Sequence, residues 1–411
     1  MLIPHIMDNM AEKTENKKFK FQMIPPSGGN KFFDHREDFM SDEFIRFGED
    51  NLFPQNTIEL YNRSSIHAAA VNAIVEGIIG KGLTANNEFY LEKANRKGET
   101  WNDIFAKITL DYKLHGSFAL EIIWSRDRLS IEAYHIDFAN LRAGEKDHRG
   151  YIDGYYISSK WGKIGRARSF VSEEEALYIP TFDPEKKNEQ PTQIYVHKNY
   201  RPGQQYYPLP DYVGAYRVIE LDMEIDNFHT CNIRNGLAPS LSITTFTNGS
   251  DDQLRDIEAQ LNANYGGTDN AGSLMYIDVD SPENAPVITP IPQNGADGYY
   301  TAINDLVVQK ILTAHRITSP MILGIKTEGQ LGGRSEVIDA YLLFQNSVIV
   351  PFQQSILASL EGIMQINYPD IVLGVEQKKL YSDGIEEDEV IVDADTTSQE
   401  EADIQQPELI S

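Results

Sequence analysis

A glycine-rich break between two long helical patterns constrains the fold of this chain more than any other feature. Apolar residues at helical spacing predict one helix from Tyr300 to His315 and a second, longer helix over 335–366. The residues between them, 318–334, contain several glycines, which give a loop conformational freedom. Ser335 is expected to cap the second helix, and Pro351 predicts a kink within it rather than its end.

A third long helix, predicted over 211–236, has two apolar stripes on nearly opposite faces. One stripe is Tyr212, Tyr216, Ile219 and Met223, the other is Val218, Leu221, Ile225 and Phe228, and the acidic edges between them are Glu220 with Glu224 and Asp222 with Asp226. An ordinary surface helix has a single apolar stripe, so two stripes predict a helix wedged between two neighbours. Those neighbours are either elements of the same domain or adjacent subunits of a ring.

The rest of the chain predicts an α+β protein with mostly antiparallel strands. A small-residue helix ends at Gly80, and a second helix is capped by Thr100 and stops at Gly116. Strand-like runs follow at 117–124, 129–136, 151–157, 177–180 and 193–196. Residues 1–52 and the acidic tail at 367–411 are expected to be weakly ordered.

The acidic composition argues against tight, general binding to nucleic acid. The 411-residue chain has a formal net charge of −26, whereas phosphate binding needs lysine and arginine. The only cysteine, Cys231, excludes an intramolecular disulfide and a cysteine-based zinc site, and its helical pattern predicts a small buried residue. No apolar run is long enough for a membrane span, and the first residues do not have the pattern of a secretory signal.

No convincing active site is present in the sequence. The segment at 324–331 has two glycines at the spacing of a phosphate-binding loop but does not have the Lys-Ser/Thr pair that completes one. The histidines do not form a recognisable metal pattern, and the acidic run at 386–389 predicts a solvated surface. We therefore expect no enzymatic activity, no cofactor and no bound metal.

The loop and its flanking helices resemble the C-terminal half of tailed-bacteriophage portal proteins. The similarity rests on Arg-Ile-Thr-Ser-Pro-Met-Ile-Leu-Gly-Ile at 316–325, followed by glycines and then Ser335-Glu336-Val337, and on the order of elements over about 57–366. The resemblance implies a portal-like α+β fold with a wing domain, long stem helices, a small clip and a long kinked helix. The corresponding segments are an arm at 1–52, the wing at 53–210, the stem helices at 211–236 and 299–317, the clip at 237–298, the channel loop at 318–334, the kinked wing or crown helix at 335–366 and the tail at 367–411.

The resemblance also implies a function and a set of partners. A portal protein forms a ring, typically of twelve subunits, at one capsid vertex of the virion, and double-stranded DNA is packaged and ejected through it. Its partners would be the terminase large subunit, a head–tail adaptor and the major capsid protein, with no membrane, and assembly would take place in the host cytoplasm. The implied channel-loop residues are Lys326, Met321, Ile322, Leu323, Gly324, Gly329, Gly332 and Gly333, and the implied subunit-packing residues are Tyr216, Ile219, Leu221 and Ile225. Glu220, Asp222, Glu224 and Asp226 would form the acidic stem edges.

Other interpretations remain at this level. Lys326 could be a solvated loop cation rather than a transient contact for DNA phosphates, and the helix–loop–helix could be two core helices joined by a surface loop. The whole chain could instead be a capsid-associated or head–tail adaptor protein without a channel. A phage nucleic-acid hydrolase would need carboxylates on rigid elements that bind a metal, and the sequence does not contain a recognisable set.

Overall fold

A computed structural model describes residues 35–38, 44–161, 176–234, 241–245, 274–278, 296–317, 319–324 and 334–378. The helices are α1 (Phe53–Arg63), α2 (Ser65–Ile79), α3 (Trp101–His115), α4 (Tyr216–Arg234), α5 (Ala296–Ala314), α6 (Arg334–Phe344) and α7 (Val350–Met364). Together with several small sheets they form an α+β fold. Among the described residues, no helix is both long and apolar enough to cross a membrane.

The strands are short and, with one exception among the named pairs, antiparallel. They are β1 (Glu37–Asp38), β2 (Arg46–Phe47), β3 (Leu83–Ala85), β4 (Ser117–Trp124), β5 (Ile131–Ile136), β6 (Leu141–Ala143), β7 (Gly154–Ile157), β8 (Leu177–Pro180), β9 (Thr192–Lys198), β10 (Leu241–Thr245), β11 (Leu274–Asp278) and β12 (Leu373–Val375). Two three-stranded sheets have the orders β5-β4-β9 and β6-β7-β8, and the pairs β1–β2, β3–β12 and β10–β11 complete the set. The exception is β10–β11, which is parallel.

The central strand β4 separates two hydrophobic cores. Phe118, Leu120 and Ile122 point into the first core, which contains residues of α2, α3 and α7. Ala119 points into the second core, which contains residues of α1, α4 and α5. Alternate residues of a strand face opposite sides of its sheet, so this one strand supplies both cores. Thr100 caps α3 and the left-handed Gly116 ends it, as the sequence predicts, and Asp103 completes a capping box with Thr100.

Two segments that were predicted to be weakly ordered, at 44–52 and 367–375, are packed against the rest of the fold. Phe44, Ile45 and Phe47 are buried, so the prediction that residues up to 52 form a weakly ordered arm is wrong for this part. At the other end, β12 pairs with β3, and the side chain of Asn367 hydrogen-bonds the backbone of Ile131. Aromatic burial and backbone pairing with distant segments therefore fix both stretches.

The long helix after the loop differs in detail from its prediction. It begins at Arg334, so Ser335 lies inside the helix and the prediction that it caps the helix is wrong. A π-helical turn at Gln345–Ile349 precedes Pro351, and the Val350 N–H donates to the Gln345 carbonyl. Proline has no N–H and its ring crowds the preceding turn, so a widened turn before it accommodates the ring within a continuous helical rod.

Of the predicted clip, the structure describes the two paired strands. These strands are β10 and β11, which lie in the chain between α4 and α5. A parallel pair requires a crossover connection, and the residues that connect β10 to β11 lie outside the described residues.

Candidate functional site

The first predicted stem helix, α4, packs one face into its own chain. Tyr216, Ile219 and Met223 are fully buried beside Val307 and Ile311 of α5. The Tyr216 hydroxyl lies 3.0 Å from the Thr57 hydroxyl on α1. The prediction that Tyr216 and Ile219 pack between subunits is therefore wrong, because α5 and α1 already cover this face.

The opposite face of α4 is only partly covered. Leu221 is 44% exposed, and Ile225 is half-buried at the edge of the second core. On the neighbouring α5, Leu306 is 49% exposed. Two adjacent helices thus present large apolar side chains to solvent. Exposed apolar side chains on packed neighbouring helices indicate a candidate interaction surface. The side chain of Phe228 lies outside the described residues.

Three of the four predicted acidic residues remain accessible on α4. Glu224 and Asp226 are exposed, and Glu220 is half-buried. Burial, and then the charge of Glu224, raises the pKa of Glu220, against the opposing effect of Arg217. Neighbouring carboxylates in partly desolvated positions make this side of the helix a poor environment for further negative charge.

Asp222 does not belong to that acidic edge. It is 4% exposed, and its carboxylate accepts a hydrogen bond of 2.7 Å from the Ser64 hydroxyl at the start of α2. Burial raises the pKa of Asp222, and the Ser64 hydrogen bond opposes that shift. The prediction for Asp222 is therefore wrong, because the residue is buried and joins α4 to the start of α2 instead of lying on an exposed edge.

The C-terminal end of α5 is fixed by a charged cluster. Arg316 has a left-handed backbone with φ of 57°, and the N–H of Ile317 donates to the Leu312 carbonyl, which closes the helix with the geometry that glycine usually provides. The Arg316 guanidinium lies 3.4 Å from the Asp211 carboxylate and 5.7 Å from the centre of the Phe352 ring. Asp211 also accepts from the Lys113 ammonium at 2.7 Å. These contacts connect α3, the start of α4, the end of α5 and α7.

A buried histidine pair lies beside this cluster. His67 Nδ1 and His315 Nε2 are 2.9 Å apart, and both rings pack against Tyr212. Burial, and then the charge of Lys113, lowers the pKa of His67 to about 3 and that of His315 well below its ordinary value. Both imidazoles are therefore neutral at physiological pH and hold α2 against the end of α5.

The first residues of the predicted channel loop form a short structured base. Ser319 caps a 3-10 turn at Pro320–Leu323, and Gly324 ends it in a left-handed conformation with φ of 75°. Ile322 and Leu323 pack partly buried against the first core, and Met321 is half-buried. Lys326, Gly329, Gly332 and Gly333 lie outside the described residues.

One group of metal-ligand side chains was missed by sequence reasoning. Asp111, His115 and Asp137 each offer a donor atom, and these atoms lie within 4.8 Å of one another. Asp111 and His115 are four residues apart on α3, which is a local signal for two ligands on one helical face. Asp137 comes from the end of β5, so its approach depends on tertiary structure.

The fold of this chain is similar to those of chains in several solved structures. A chain of the virion of a native gene transfer agent particle is similar over 80% of this chain and 86% of its own, with a TM-score of 0.52 and 14% identity. The protein thus has the fold of a chain in that particle. A chain from the neck of the empty particle, computed with C6 symmetry, matches with a TM-score of 0.51 and 14% identity over 91% of this chain and 94% of its own.

Two further matches complete the comparison. A chain from the neck of the native particle, computed with C12 symmetry, has a TM-score of 0.50 and 15% identity over 81% of this chain and 85% of its own. A crystal structure of an HK97-family phage portal protein from Corynebacterium diphtheriae is similar at 11% identity, over 80% of this chain and 96% of its own, with a TM-score of 0.40. No family model and no curated protein sequence matches. At 14–15% identity, the matches to the gene transfer agent particle show a shared fold.

Proposed function

We propose that this protein is a phage portal subunit that forms a twelve-membered ring at a capsid vertex. In this proposal α4 and α5 are the stem, the segment around β10 and β11 is the clip, and residues 318–334 are the channel loop. Double-stranded DNA passes through the ring during packaging and ejection. The terminase large subunit, a head–tail adaptor and the major capsid protein are its partners, in the virion and, during assembly, in the host cytoplasm.

The observation that carries this proposal is the outward face of the α4–α5 pair. It presents Leu221 and Leu306 to solvent beside exposed carboxylates, while its inward face is fully packed. Half-exposed leucines on adjacent helices suit an interface between copies of the chain. The similarity of fold to a chain from a neck computed with C12 symmetry supports a closed ring.

Electrostatics supports transport rather than storage of DNA. Glu224 and Asp226 are exposed on α4, and the whole chain carries a formal charge of −26. A channel wall with such side chains repels phosphates, so a duplex would not adhere to it. Lys326 in the loop would supply brief, salt-sensitive contacts with the phosphates.

The ring is tested by negative-stain electron microscopy and mass photometry of the purified protein. The expected result is a closed ring with a central hole wide enough for duplex DNA and a mass of about 560 kDa for twelve 46.5-kDa chains. Single chains or open oligomers would instead favour the adaptor alternative, and rings without such a hole would count against the channel.

Matched variants test the interface itself. Leu221→Glu and Leu306→Glu should each shift the protein toward single chains, because closing the ring would bury an unpaired carboxylate. Leu129→Glu is the control, since Leu129 is an exposed leucine in the connection between β4 and β5. Rings that form equally well in both stem variants would show that this face is not the interface.

The channel loop is tested separately by DNA packaging. Lys326→Ala should lower the amount of DNA packaged and weaken its dependence on salt, while Lys93→Ala, on the wing surface, should leave packaging unchanged. Equal packaging by the two variants would remove Lys326 from the mechanism without affecting the ring.

A further inference from the structure

Three metal-ligand side chains meet where α3 ends against the turn after β5. Asp111 and His115 come from the last turns of α3, and Asp137 immediately follows β5. One donor atom of each lies within 4.8 Å of the others. Asp111 and His115 are buried, whereas Asp137 is exposed. Such a group has two ligands fixed in the protein interior and one side open to water.

The second observation is an unsatisfied histidine nitrogen. His115 is 3% exposed, and its Nε2 has no hydrogen-bond partner within the described residues. A buried polar atom without a partner is costly, and each such atom requires an explanation. Its neighbour in the group, Asp111, is already oriented by hydrogen bonds from His135 Nε2 at 2.9 Å and the Phe138 N–H at 3.2 Å.

We propose that Asp111, His115 and Asp137 bind a divalent transition-metal ion, with zinc as the best match. One imidazole and two carboxylates are a nitrogen–oxygen ligand set that suits zinc, and water would complete a tetrahedral site on the Asp137 side. The hydrogen bond from His135 to Asp111 is the outer-shell contact that commonly orients a ligand. A carboxylate has room to accept these bonds and also bind a metal.

The location assigns the metal a structural role. The ion would lie near the C-terminal end of α3, where the helix dipole favours positive charge. It would tie α3 to the turn after β5, and thereby fix the wing. Arg142 opposes metal binding, because the positive charge of its buried guanidinium acts on His115. The guanidinium itself is held by Asn51 and by backbone carbonyls rather than by a carboxylate, so we expect weaker binding than at a four-ligand structural site.

The test uses the untagged full-length chain with zinc alone. After treatment with EDTA, titration should show one zinc ion per chain and a rise in Tm that EDTA reverses. Cobalt(II) should give the visible absorption of a tetrahedral site and be displaced by zinc. Asp137→Asn removes one anionic ligand but keeps an amide that can still cap the following turn, so the metal-free variant should retain its Tm.

The variants decide the outcome. Asp137→Asn should weaken zinc binding at least tenfold, and His115→Asn should weaken it further. His148→Asn is the control for surface binding, since His148 is exposed on a different turn, and it should leave the affinity unchanged. Zinc affinity that is the same in Asp137→Asn and in the unaltered chain, or no binding by the unaltered chain, would overturn the proposal. Neither result would bear on ring formation.

Discussion

Replacing Asp211 by asparagine should destabilise the protein more than any surface substitution. Lys113 has a side chain that is 0% exposed, and its ammonium donates to Asp211 at 2.7 Å. The same ammonium lies 5.3 Å from the centre of the Tyr212 ring and 5.2 Å from that of Phe352. Asp211→Asn therefore leaves a lysine charge among aromatic rings without its carboxylate.

The size of the effect follows from burial. Removing one partner of a buried ion pair costs about 3–5 kcal/mol. The Asp211 side chain is 29% exposed, so water reaches one side of the pair and the lower end of that range applies. Burial also lowers the pKa of Lys113, so loss of its proton limits the penalty. We expect a loss of about 3 kcal/mol, or on the order of 100-fold in the folding equilibrium.

Urea unfolding followed by tryptophan fluorescence measures this loss. Trp101 and Trp124 are buried in the first core, so their emission reports its unfolding. Adding Lys113→Met to Asp211→Asn should restore most of the stability, because an apolar side chain of similar length needs no counter-charge. The control is Asp183→Asn, which alters an exposed pair with Lys186 and should cost less than about 0.5 kcal/mol.

Two results would refute this reasoning. A loss below about 1 kcal/mol in Asp211→Asn would mean that the pair is not effectively buried. A double variant no more stable than Asp211→Asn alone would mean that the loss comes from another contact of Asp211, such as that with Arg316.

Two further predictions concern the packing of α2. Folding lowers the pKa of both His67 and His315, so the unfolded chain binds protons more tightly than the folded chain. Their contribution to stability is therefore fully present above the ordinary pKa of 6.5 and is lost as the pH decreases below that value. Between pH 7.5 and 5.5 each of these two histidines should cost about 1.4 kcal/mol in urea unfolding. The double variant His67→Gln/His315→Gln should remove this share of the pH dependence, and an unchanged slope would contradict the prediction. Gly77→Ala should cost about 1–3 kcal/mol of stability, because the new Cβ would lie 2.8 Å from Cδ1 of the buried Ile349. Ile349→Val removes that methyl group and should recover part of the loss in the same assay. An unchanged stability of Gly77→Ala would contradict the close packing.

Local signals made the structure of residues 100–124 largely predictable. The cap at Thr100, the stop at Gly116 and the strand from Ser117 to Trp124 depend on neighbouring residues, and the structure agrees with each. The α3 helix and β4 are therefore specified by the segments that form them.

Contacts between distant segments were not predictable in the same way. The prediction of two different faces on α4 was correct, since Tyr216 is buried and Leu221 is exposed. Periodicity alone does not tell which of the two faces packs against the same chain. Asp222 has the spacing of a surface carboxylate, and only Ser64 across the fold explains its burial. The grouping of Asp137 with Asp111 likewise depends on how β5 packs beside α3.

The pairing of β3 with β12 has a consequence for how the protein is made. The Lys81 ammonium and the Glu376 carboxylate meet 2.7 Å apart although 295 residues separate them along the chain. At about 5–20 residues per second, a ribosome needs roughly 15–60 s to synthesise that interval. The first helices of the body must therefore wait, with their apolar faces incomplete, until the segment around residue 376 has emerged. Completion of this core is late in synthesis, and a nascent chain stalled before residue 373 is a natural client for a chaperone.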